Sequence, residues 1–178
     1  ASVRREGASG PPPPLRLAGP RVTAWALGPP CADKAELLRA VAQQAADEVA
    51  ADIEAGDAPP AAPLQALIDG AERYFAAMAG QGRARLLLLE APAVLPPAQL
   101  LALHERAGAR ALRDGLGAAL APAALAGAVI DALAAQLSAA FDRAALAIAR
   151  GEPAEPQRQA MRWLLTQLVQ GADAAPRA

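Results

Sequence analysis

RARLLLLEAPAVLP, residues 83 to 96, decides how the chain is read: two arginines, four consecutive leucines, one acid and a proline stop. As a helix, Leu86 to Leu89 is apolar on every side and must be buried all round. Pro92 removes a backbone donor and ends or kinks that helix.

Upstream, Asp33 and Glu36 form a capping-box arrangement that predicts the start of a long helix. Its apolar row Leu37, Val41, Ala45, Val49, Ile53 repeats every four residues until Gly56 closes it. Asp57 to Pro63 reads as a turn, and Pro63 suits the first position of the next helix. That helix carries the stripe Leu64, Leu67, Ile68, Ala71, Phe75, Met78 up to the break Gly80-Gln81-Gly82.

Downstream, Leu100, Leu101, Leu103, Ala107, Ala111 and Leu112 predict a further amphipathic helix fraying through Gly115 and Gly117. Pro122 is read as the start of the longest helix, with Leu125, Val129, Leu133, Leu137, Phe141, Ala145 and Ile148 in one row up to Arg150-Gly151. A last helix follows Pro153 or Pro156, carries Met161, Leu164, Leu165, Leu168 and Val169, and ends at Gly171, leaving residues 172 to 178 as a tail. Sustained period-two alternation is missing, so the expected fold class is all-α, a bundle of about five to six helices.

Composition narrows the partners. Hydrophobic residues make up 54% of the 178, about half of them alanine, which favours helix and close backbone approach. Net charge is −1 and pI about 5.9, so no overall basic field attracts phosphate backbones. Of the 17 basic residues only Lys34 is lysine, a bias typical of GC-rich bacterial coding sequence. Cys31 is the lone cysteine and His104 the lone histidine, which excludes an internal disulfide and offers no metal-ligand cluster. Arg4 and Arg5 precede no apolar run, and Gly115 to Ile130 falls short of the roughly 20 residues of a spanning helix, so no membrane partner and a cytoplasmic location are expected.

Residues 1 to 32 differ in kind, with seven of the 17 prolines, four of them consecutive at Pro11 to Pro14. Such a run favours extended polyproline geometry, so this stretch is read as a Pro/Gly-rich arm. No catalytic constellation stands out. Gly80-Gln81-Gly82 lacks the lysine of a phosphate loop, Ser138 lacks a nucleophile-elbow setting, and Asp47 with Glu48 reads as a solvated helix face. No cofactor is expected.

Three segments, in this order, resemble the tetracycline-repressor (TetR) family of transcriptional regulators: ADKAELLRAV at 32 to 41, RLLLLEAPAVL at 85 to 95, and LAAQLSAAFDRAALAIAR at 133 to 150. The resemblance covers Asp33 to Gly171. It implies an effector-binding and dimerisation domain, with a small apolar effector held between the middle helices. The implied pocket residues are Tyr74, Phe75, Met78, His104, Gln136 and Phe141. It also implies a homodimer through a four-helix interface, for which Leu133, Leu137, Ala144, Ile148, Met161, Trp163, Leu164 and Leu168 are the candidates. A helical dimerisation module without a small-molecule site is the alternative, which a filled interior would favour.

The departure is at the DNA-reading end. Only Val22, Thr23, Ala26 and Leu27 fit the family's recognition-helix pattern, and Gly28, Pro29, Pro30 and Cys31 replace its aromatic and polar positions. Those prolines oppose a helix turn in the major groove. Residues 1 to about 31 are therefore read as an out-of-frame or mis-started stretch, or a natural loss of the reader. No DNA-binding residue is nominated, and operator DNA is expected as a partner only for an intact homologue or through a heterodimer.

Overall fold

A computed structural model of the chain describes residues 30–55, 62–80 and 82–174. The Pro/Gly-rich arm up to residue 29, with Trp25 and the degenerate reader pattern before Pro30, lies outside the described residues. So do most of the Asp57 to Pro63 turn, Gln81 and residues 175–178.

Every regular element among the described residues is helical. Helix α1 runs Pro30–Glu54 and α2 Pro63–Ala79. Helix α3 starts as Arg83–Arg85, passes through a π-helical turn at Leu86–Glu90 and finishes as Ala91–Val94. Helix α4 spans Pro97–His104 and α5 Arg110–Ala119, joined by a π-helical turn at Glu105–Ala109. Helix α6 is Gly127–Ala149 and α7 Ala154–Ala174.

Local chemistry explains where the boundaries differ from expectation. Helix α1 begins at Pro30 rather than Asp33, because a proline is tolerated in a first turn whose N–H groups have no helical partner. Asp33 is thus inside the helix, and Glu36 accepts from Arg39 at 3.2 Å. Pro122 sits in the short 3-10 turn Ala121–Ala123, and α6 starts only at Gly127, which leaves α1 the longest helix among the described residues. Gly115 does not fray α5: a Cβ there would lie 2.8 Å from Leu67 Cδ2, so the glycine is what lets α5 close on α2. Helix α7 continues past Gly171 to Ala174.

The leucine run is not buried all round. Leu87 is buried, Leu86 and Leu88 are half-buried, and Leu89 is exposed. Pro92 does not end the helix either. The Ala91 N–H reaches back to Leu86 O, an i→i−5 bond, so a π-turn stands immediately before the residue that lacks a donor. The row on α1 is buried only at its C-terminal half: Ala45 and Val49 are covered, with Ala42 and Ala46 beside them, whereas Leu37 is 65% exposed.

One core ties α1, α2, α3, α5, α6 and α7 together through Val49, Leu67, Phe75, Met78, Leu87, Leu116, Phe141 and Leu165. Polar clamps act at its edges. Arg83 donates to Glu48 and Asp52 of α1, each at 2.8 Å, and Arg162 of α7 donates to Glu72 of α2 at 2.6 Å. The Glu48 carboxyl is held below its ordinary value by hydrogen bonds from Gln44 and Arg83. Helix α6 is long and apolar enough to cross a membrane by length and composition alone, yet it buries Ala134, Phe141, Ala144, Ala145 and Ala147 within the body.

Candidate functional site

Where α1 ends, α2, α5 and α6 stand apart and leave a cavity of about 390 Å³. Two features of the sequence keep it open. Gly70 on α2 and Gly115 on α5 contribute no side chains, and a Cβ on Gly70 would meet nothing within 4 Å. Gly108, at φ +132, breaks the line between α4 and α5 in a conformation that L side chains rarely adopt. A Cβ there would lie 3.0 Å from Ile53 Cδ1, so the break also seats the end of α1.

Hydrocarbon dominates the walls: Ile53, Leu67, Ala71, Leu112 and the rings of Tyr74 and Phe141. The aromatic side is a cluster in which Tyr74 meets Phe141 edge-on at 5.7 Å between centroids, and Phe75 lies 5.5 Å from Phe141. Polar groups are few, as is usual in small-molecule sites. Arg73 donates from Nε to Ile53 O at 2.7 Å, fastening the C-terminal end of α1 to α2, and Glu54 stands nearby. Ser138 lines the inner side. Across Ile53 and Gly108 lies a broader, more polar hollow of about 620 Å³, lined by Glu54, Glu105, Arg106, Arg110 and Asp114.

Behind Tyr74 is a much smaller chamber of about 20 Å³, bordered by Met78, Leu87, Leu103, His104, Ser138 and Asp142. Tyr74 Oη donates to Asp142 Oδ1 at 2.6 Å. Burial pushes the Asp142 carboxyl above its ordinary value, against the opposing effects of the Tyr74 hydrogen bond and of nearby His104. The Tyr74 hydroxyl is raised far above its usual range, first by burial and then by Asp142. His104 Nε2 is buried without a hydrogen-bond partner.

Of the pocket residues named from sequence, Tyr74 and Phe141 line the large cavity, and Met78 and His104 the small chamber with Tyr74. Phe75, part of the ring cluster, is buried in the core and borders neither space. Gln136 is exposed on α6 and borders none of these spaces, because it lies on a different side of the helix from Phe141. Ile53, Gly70, Arg73 and Gly108 on the large cavity, Asp142 on the small chamber and Ser138 on both carry no signal of such a place in the sequence. Among the interface candidates, Ala144 and Met161 are buried in the chain's own core. Leu133, Leu137, Ile148 and Leu168 are half-buried, while Trp163 and Leu164 are exposed.

No group of three or more His, Cys, Asp or Glu residues suited to a metal ion occurs among the described residues. A protein-family model described as "Tetracyclin repressor-like, C-terminal domain" matches residues 64–172. A search of curated proteins found no match to the chain.

Proposed function

The chain belongs to the tetracyclin repressor-like C-terminal domain family, the ligand-binding and dimerisation part of TetR-type regulators, and on that premise we propose that it senses a small apolar effector. The observation that carries this reading is the cavity of about 390 Å³, walled by hydrocarbon and rings and marked by a few polar groups. A helical pairing module with no ligand would gain by filling such a space, since protein interiors are otherwise close-packed. The cavity therefore favours the sensor over the module.

The chain works as a homodimer in the cytoplasm. Support comes from exposed apolar surface on the last two helices, Val129 on α6 with Trp163 and Leu164 on α7, beside half-buried Leu133, Leu137 and Leu168. A two-fold pair is the commonest way to cover a self-complementary face. The unit extends from α1 to α7. Operator reading is impaired in this chain by the replacement of the recognition pattern with Gly28, Pro29 and Pro30, so a heterodimer with an intact subunit would carry one reader and act as a decoy.

Gly70→Leu tests the sensor directly. The new side chain grows into open space from a helical position, so the fold gains up to about 1 kcal/mol from the loss of a helical glycine while the cavity is filled. Titration calorimetry with a panel of bicyclic aromatic compounds is expected to show saturable binding to the wild-type chain, weakened at least about tenfold in the variant. Equal binding by both chains would place the ligand elsewhere and end this reading.

A further inference from the structure

The small chamber behind Tyr74 is bordered by polar groups whose hydrogen-bonding capacity is not filled. Its volume of about 20 Å³ is room for roughly one water or one ligand heteroatom. Tyr74 spends its only proton on Asp142, and the carboxylate has acceptor capacity for further partners. Among the described residues no arginine or lysine forms a salt bridge with Asp142. His104, which borders the same space, has a buried Nε2 without a hydrogen-bond partner. Polar groups left so inside hydrocarbon are costly, and an arriving ligand that satisfies them gains what the empty site lacks.

Tyr74 and Ser138 border both this chamber and the large cavity. We propose that the effector is a flat apolar molecule bearing one hydroxyl, its rings between Leu67, Leu112 and Phe141 and its hydroxyl at the Tyr74–Ser138 wall, facing Asp142 and His104. This rests on the sensor reading above and adds the ligand's chemical class. A hydroxyl both donates and accepts, so it serves the carboxylate and the imidazole in either tautomer. An ether or a hydrocarbon brings no proton. A carboxylate sets a second negative charge against Asp142. Arg73 and Glu54 both line the large cavity, so its charged lining favours neither sign.

The test is calorimetric binding of 2-naphthol, 2-methoxynaphthalene and 2-naphthoate to the full chain. The expected result is a Kd for the alcohol at least about tenfold below those of the ether and the acid. Asp142→Leu, close in shape and without acceptors, should reduce the alcohol-to-ether ratio to within about twofold while ether binding persists. The wild-type comparison decides the matter even if that variant does not fold. An ether or acid bound as tightly as the alcohol overturns the hydroxyl assignment and leaves the sensor standing. Failure of all three to bind the wild-type chain saturably overturns the hydroxyl assignment, and if the wider panel then also ignores Gly70→Leu, the sensor reading falls as well.

Discussion

Tyr74 and Asp142 come from helices 68 residues apart in sequence, and their 2.6 Å hydrogen bond joins α2 to α6 behind the cavity. The aromatic half of this site was legible, because Tyr74 and Phe141 are among the few rings in an alanine-rich chain. Its polar half was not, since Asp142 reads as an ordinary helix charge and Ser138 as a nucleophile without a motif. Helical phase settles what residue type does not. Ser138 is three residues before Phe141 and shares its face, whereas Gln136 is five before it and lies about 140° around the helix. The raised Asp142 carboxyl has a consequence for stability. Its ionisation costs more in the folded chain than in the unfolded one, so the contribution is intact below the ordinary aspartate value of about 3.9. That contribution is lost as pH rises through the higher folded value. Asp142→Asn does not titrate there, so it should gain stability relative to the wild type across that window. Urea unfolding at fixed protein concentration over a pH series checks this, and a difference that stays flat with pH would refute it.

Elements were more legible than their ends. The stripe on α2 could be read from spacing, because Leu67, Ala71, Phe75 and Met78 are all buried. The leucine run misled, since four apolar residues in sequence suggest complete burial, but the π-turn before Pro92 leaves Leu89 facing water. Glycine was the other blind spot. Gly108 and Gly115 look like helix breakers, and only the packing partners, Ile53 and Leu67, show that one re-aims the chain and the other permits close approach. Helix α7 is anchored on the body by Leu165, which is fully buried, and by the Arg162–Glu72 pair at its edge. Leu165→Ala is expected to cost about 2–5 kcal/mol in urea unfolding, the range for a large cavity left in a packed core. A loss below about 1 kcal/mol would show that α7 is held by something other than that core.

At the scale of the molecule, the proposed function uses two surfaces: a cavity for the effector and an outer face for a second copy. The apolar faces of the last two helices include Ala144 and Met161, which one chain already buries in its own core, a use that spacing alone does not distinguish from an interface. Trp163, 62% exposed, is the residue whose burial most requires a partner. Sedimentation equilibrium should give the wild type twice the 18.0 kDa of one chain, and Trp163→Glu should shift the assembly toward the monomer without loss of helical circular dichroism. An unchanged assembly mass would remove α7 from the interface.

The most direct measurement of the central claim is the position of a bound bicyclic alcohol by intermolecular nuclear Overhauser effects in the methyl-labelled full chain. Contacts to the methyl groups of Ile53, Leu67 and Leu112 are expected, because those side chains wall the cavity between α1, α2 and α5. Contacts confined to Leu164 and other outer methyl groups, with none to those three, would contradict it.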